Sequence, residues 1–218
     1  MRSLPFILVF YGAYLLLLVL GCEGFAVYMK PLLIPSLLFL FSSEISFSEH
    51  RFLLAAISFS AIGDVFLIFE GALFFVVGLF SFLLAHICYI LVFKKAFEGI
   101  RWGVYLILTS FIVLSYYLLF VSFLWPNLGQ MQFPVLAYAT VLALMLWFSL
   151  HSYKQAKWYR WFIVTGAFSF GISDSLLSYS LFYADFNQSH FYIMLTYVSA
   201  QLLLVYGILQ IHKRRTIV

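Results

Sequence analysis

Charge is the scarcest property of this chain. Only 9% of its 218 residues are Asp, Glu, Lys or Arg, against 65% hydrophobic. A soluble domain carries about 25% charged residues, because its surface has to satisfy water. So little charge excludes an ordinary soluble globule and leaves lipid as the surrounding medium. Cysteine is scarce too. Cys22 and Cys88 stand alone, which excludes a metal motif or a disulfide framework and leaves the redox compartment open. No Gly/Ser linker, charged tail or low-complexity stretch breaks the chain, so residues 1–218 read as a single transmembrane domain. There is no Walker-type phosphate loop, dinucleotide glycine fingerprint, Gly-x-Ser-x-Gly elbow or His-Glu-x-x-His helix, which argues against nucleotide-driven transport and serine-hydrolase chemistry.

What the chain has instead is apolar runs. Eight can be drawn, over 4–22, 25–41, 51–69, 72–93, 103–124, 132–150, 158–183 and 190–211. A helical span needs about 20 predominantly apolar residues. The second run is the shortest and contains Lys30-Pro31 and Pro35, which predicts a kinked or partly unwound span lining a cavity rather than lipid. The first run, with Arg2 before it and Gly21-Cys22 after it, is long enough to span and is read as a helix, not a cleaved signal peptide. The 27 Phe, 15 Tyr and 5 Trp suit helix packing, lipid contact, interface anchoring and packing around a long acyl chain.

The basic residues supply an independent test of the count. Eight crossings put both termini on one side, together with Arg2, Arg51, Lys94, Lys95, Arg101, Lys154, Lys157, Arg160, Lys213, Arg214 and Arg215. Those are eleven of the twelve basic residues; the twelfth, Lys30, lies within the second run, and the opposite side carries none. Seven or nine crossings would scatter the clusters over both faces. Such clusters encode orientation and are no nucleic-acid signature. The predicted fold class is therefore an all-α integral membrane bundle of eight transmembrane helices with both termini cytoplasmic. A faint echo, Ala61-Ile62-Gly63-Asp64 in the third run and Gly171-Ile172-Ser173-Asp174 in the seventh, adds the idea of a 4+4 parallel pseudo-repeat.

Ionisable groups inside spans are costly and usually face the bundle interior. Here they are Lys30, Asp64, His86 and Asp174, with Gln201 as a neutral polar addition. Asp64 lies six residues before Glu70, roughly 9 Å below the non-cytoplasmic face at about 1.5 Å per residue. Lys30 sits at similar depth, Asp174 nearer the mid-plane and His86 further still, so the four could line one cavity open to that face. Small neighbours (Ser60, Ala61, Gly63, Gly171, Ser173) allow close helix approach or leave room beside each acid, and the serines could bond to them. Two acids in different protonation states form a general acid/general base couple. A Lys–Asp ion pair that merely ties helices together accounts for Lys30 equally well. His86 shares a helical face with Gly78, Phe82 and Tyr89 and reads as a proton relay, a hydrogen-bond donor or a packed core residue. Asp64, His86 and Asp174 barely reach the three or four ligands a zinc ion needs, so neither metal nor cofactor is expected.

The segment Ser60–Phe69 followed by Gly78, Phe82, His86 and Tyr89 resembles the central motif of the YhhN-like lysoplasmalogenase family of membrane proteins. Lys30-Pro31, Ser173-Asp174 with Phe182, and Tyr197 with Ala200-Gln201 resemble that family's other elements in the same order. The resemblance implies hydrolysis of the vinyl-ether bond of a lysoplasmalogen, a lysophospholipid, to a fatty aldehyde and glycerophosphoethanolamine or glycerophosphocholine, without a metal. Asp64 and Asp174 would then be catalytic. Lys30, His86, Tyr89, Tyr197 and Gln201 would bind substrate or support the acids. Two rivals share the same residues: a proton-coupled small transporter or lipid carrier, and a metal-dependent membrane lipid hydrolase. The bare chain favours a bacterial inner (plasma) membrane over the endoplasmic reticulum; oligomeric state is not encoded legibly.

Overall fold

The computed structural model describes residues 3–41, 50–95, 103–152 and 157–217. Arg2, Arg101 and Lys154 of the charge map lie outside the described residues, as do the side chains of Lys157, Arg214 and Arg215. Among the described residues there is no β-strand, and each apolar run holds one α-helix. They are α1 (Leu4–Val19), α2 (Glu23–Leu33), α3 (Arg51–Phe66), α4 (Ala72–Lys94), α5 (Val104–Leu124), α6 (Gln132–His151), α7 (Lys157–Phe182) and α8 (Ser189–Ile217). The last helix runs past its apolar stretch through Lys213-Arg214-Arg215, residues that form helix readily and suit a helix C-terminus.

Five of these helices, α4 to α8, are long and apolar enough to cross a bilayer, which makes this a multi-pass integral membrane protein. The 23 residues of α4 rise about 34 Å, against a hydrocarbon core of about 30 Å. With 16 residues each, α1 and α3 rise only about 24 Å. One flank of α5 is almost wholly exposed through Ile107, Leu108, Phe111, Leu118 and Leu119, while α8 is central, with Ala200, Gln201, Leu204, Val205 and Ile208 sealed from outside.

The proline-bearing second run does lose its α-helical form part-way. Pro35 has no N–H to give the preceding turn and its ring clashes there, so α2 stops at Leu33 and the chain tightens into a 3₁₀ segment, Pro35–Leu40. The carbonyl of Leu33 is not orphaned. It accepts the Tyr11 hydroxyl at 2.9 Å and the Ser36 hydroxyl at 2.5 Å.

The two most extensive helix pairings are α3 with α4 and α7 with α8, so each Asp-bearing helix packs chiefly on its successor. Glycines set both approaches. A Cβ on Gly63 would stand 2.6 Å from the Phe82 ring, and one on Gly166 would stand 3.0 Å from the backbone nitrogen of Leu204. Between α3 and α4 the chain turns through Gly71 at φ +118°, a conformation that glycine adopts without a Cβ penalty.

Candidate functional site

Asp64 lies near the end of α3, 2% exposed. Its Oδ2 accepts the hydroxyl of Tyr197 from α8 at 2.8 Å. One turn deeper, the Tyr89 hydroxyl (α4) donates to Gln201 Oε1 at 2.6 Å, and Gln201 Nε2 (α8) donates to Ser60 Oγ (α3) at 2.8 Å. All three side chains are fully buried. This chain ties three helices into a floor beneath Asp64.

Asp174, in the middle of α7, has the same kind of partner from a different helix. The Tyr138 hydroxyl, on α6, donates to its Oδ2 at 2.8 Å. Behind it stands His86 of α4, whose Nε2 is 3.8 Å from the same oxygen, the closest acid–base approach among the described residues. That is too long for a hydrogen bond, and both ring nitrogens of His86 are buried without a hydrogen-bond partner. The imidazole is held edge-on by Phe170, with ring centres 4.6 Å apart, and by Tyr138 at 5.2 Å. Beside this, the Tyr116 hydroxyl bonds Ser175 Oγ at 2.6 Å and the Gly171 carbonyl at 3.1 Å, fastening α5 to α7.

Both acids open into one cavity of about 570 Å³. Its polar lining is Lys30, Asp64, Glu70, Ser173, Asp174, His190 and Tyr197. Its apolar wall is built chiefly by Phe75, Phe82, Leu177, Leu181, Phe182 and Met194. The mouth lies among the α3–α4 turn (Phe69 to Ala72), Met131 and the first turn of α8. That is the end of the bundle remote from the basic clusters. Two chambers of about 30 and 20 Å³ abut Asp174 toward α6; Tyr138 and Ser178 line both, and Tyr116 lines the smaller. Each is mostly apolar in lining but has the volume of about one water, with Asp174, Tyr138 and Ser178 as polar partners.

Of the four span-buried residues, Lys30, Asp64 and Asp174 share the cavity, whereas His86 lies behind Asp174 and off the cavity wall. Lys30 is electrostatically coupled to Asp64 across the cavity but closes no salt bridge to either acid. Tyr197 reaches the site; Tyr89 and Gln201 form its floor and touch neither acid. The serines next to the acids bond elsewhere: Ser60 accepts from Gln201, and Ser173 donates to the Ile193 carbonyl at 3.0 Å. Among the described residues no three His, Cys, Asp or Glu converge as metal ligands. Sequence reasoning missed Tyr138, His190 and Glu70. Tyr138 is one of the chain's 15 tyrosines and stands inside an apolar run, and the other two stand at run edges, where polar residues are ordinary.

Comparison with known proteins bears on the whole arrangement. The sequence model of the YhhN family matches residues 25–208. Lysoplasmalogenase TMEM86B of Homo sapiens is 34% identical over 163 residues, which cover 73% of this chain and 64% of that protein. Lysoplasmalogenase TMEM86A of Bos taurus is 34% identical over 152 residues, covering 67% and 60%. Lysoplasmalogenase TMEM86B of Rattus norvegicus is 33% identical over 173 residues, covering 79% and 68%. The match thus spans just under two thirds of the human and bovine relatives. No solved structure matches the chain.

Proposed function

The chain belongs to the YhhN family, and from that premise we propose that it is a lysoplasmalogenase, a membrane hydrolase of the vinyl-ether bond of lysoplasmalogens. The observation that carries the reading is the meeting of Asp64 and Asp174 in one cavity whose lining is largely apolar apart from a few ionisable and hydroxyl side chains. A one-chain lipid needs apolar lining for its chain and polar groups for its head, and the proposed cleavage of its vinyl ether uses both acids.

The chemistry follows from the substrate. A vinyl ether is hydrolysed by protonation of its outer alkene carbon, which leaves an oxocarbenium ion. Water adds to the carbon bearing oxygen, giving a hemiacetal. The hemiacetal then splits into an aldehyde and the glycerol hydroxyl. One water is consumed and the catalytic proton is returned. We assign Asp174 as the acid, since the lysine lies on the Asp64 side and the group behind Asp174 is an imidazole. Having given its proton, the Asp174 carboxylate takes one from the attacking water, supplied through the chambers beside it. Asp64, facing Lys30, serves as the carboxylate that stabilises the oxocarbenium charge. Tyr197 and Tyr138 hold the two carboxyls in place, and His86 supports Asp174. The reading uses the eight-span topology as well: both termini cytoplasmic, and the cavity mouth on the other face.

The test is direct. Purified protein in mixed micelles should release fatty aldehyde from an alkenyl lysophospholipid and none from the matching saturated ether. Proton-coupled flux in liposomes with no aldehyde at all would replace this reading with a transporter.

A further inference from the structure

The ionisable groups around the cavity differ in exposure from its mouth inward. Glu70, on the α3–α4 turn at the mouth, is exposed. Lys30 and His190 come next, both part-buried on the cavity wall. Asp64 is 2% exposed, and Asp174, 12% exposed, stands eight residues in from the end of α7 at Phe182. Lys30 and His190 feel each other's field, and Glu23, exposed at the start of α2, acts on the same His190. Each is notable for where it occurs. Among the described residues, Lys30 stands apart from Arg51, Lys94, Lys95, Arg160 and Lys213, which lie toward the other ends of their helices. Asp185, the acid of the neighbouring α7–α8 loop, is already engaged: Ser180 Oγ donates to it at 2.7 Å and the Phe186 N–H at 3.0 Å.

Carboxylate outermost, an ammonium and an imidazole N–H beneath it, acids further in: a zwitterionic lysolipid read from its headgroup inward is the complement of that order. Its ammonium is outermost, its phosphate next, and its ether oxygen innermost. Building on the lysoplasmalogen reading, we propose that Lys30 and His190 bind the phosphate of the substrate and that Glu70 selects a headgroup ending in an ammonium, as in phosphoethanolamine or phosphocholine. Lys30 has three N–H donors, enough to face Asp64 and a phosphate oxygen together. His190 adds a ring N–H from the α8 side. The vinyl ether is thereby set between the two aspartates, and the chain runs along Phe75, Leu177 and Leu181.

Saturated-ether lysolipids cannot be cleaved, so binding can be read separately from catalysis. Two ligands suffice: 1-alkyl-glycerophosphoethanolamine and 1-alkyl-glycerol-3-phosphate, with the same chain. Wild-type protein should bind the first more tightly, and Glu70→Gln should cut that preference about three- to tenfold by weakening the ethanolamine form alone. Glu70→Asp should restore part of it. His190→Asn should weaken both ligands by similar factors, since both carry phosphate. The proposal is overturned if wild type does not discriminate, or if Glu70→Gln changes both ligands equally. Intact discrimination without aldehyde release from the alkenyl lipid would leave the headgroup site standing and sink the hydrolase reading instead.

Discussion

Asp64 and Asp174 are seated alike and neighboured differently. Each accepts a tyrosine hydroxyl at 2.8 Å, each sits on a helix packed chiefly against its successor, and each opens into the same cavity. Beyond the tyrosine the two diverge. Asp64 faces an ammonium on α2 and rests on a hydrogen-bonded floor; Asp174 is backed by an imidazole with no hydrogen-bond partner and by room for water. Two carboxylates with identical surroundings would do the same thing. On the proposed reading, this contrast in neighbours is what would make an acid of Asp174 and a charge stabiliser of Asp64.

The strongest way to break the comparison is to remove each carboxylate in turn. Asp64→Asn and Asp174→Asn should each lower aldehyde release about 10²–10⁴-fold while the protein stays folded in detergent, as size-exclusion profile and thermal midpoint would show. If either retained wild-type turnover, the two-acid division of labour would be abandoned. Next come the third neighbours. Lys30→Met and His86→Phe should each cost about ten- to a hundredfold in kcat, by loss of a partner to a charged group. Lys30→Arg should recover much of the loss, whereas His86→Phe should not be rescued by any aromatic, since packing on Phe170 and Tyr138 would be kept and the ring nitrogens lost. Wild-type kcat in His86→Phe would show that His86 is a packing residue only. The smallest effects separate the matched motif positions, Gly63 before Asp64 and Ser173 before Asp174. Gly63→Ala forces a methyl against Phe82 and should destabilise by about 1–3 kcal/mol, whereas Ser173→Ala loses one bond to the Ile193 carbonyl, about 1 kcal/mol. Thermal unfolding of the two variants side by side reads that difference.

Much of this was legible in the chain itself. Apolar runs fall where the helices are, since a bilayer leaves the backbone few alternatives to helix. Pro35 marked the place where α2 gives way. Lys30, Asp64 and Asp174 stood out because an ionisable group in an apolar run is expensive, and all three reach the cavity. What stayed hidden was azimuth and partnership. Rise per residue gives the depth of His86 but not that its ring points behind Asp174. Nothing local to Tyr138 distinguishes it from the other tyrosines, because its role is conferred by a residue 36 positions away. The pairing of Tyr89 with Gln201 joins residues 112 apart. The resemblance singled out both, and only the packed helices show that they support the site from beneath.

The floor made by Tyr89, Gln201 and Ser60 has a consequence for the membrane as well as for the reaction. A cavity with two acids at its base is halfway to a proton pathway, and a bundle with water on both sides of such acids would drain an ion gradient. Here the layer one turn below Asp64 is fully buried and cross-linked among α3, α4 and α8, and beyond it Phe93, Leu204 and Ile208 are sealed from solvent. On the Asp64 side this layer separates the cavity from the far end of the bundle. On the proposed reading, acid–base chemistry would run inside a bilayer without opening a path through it at this layer.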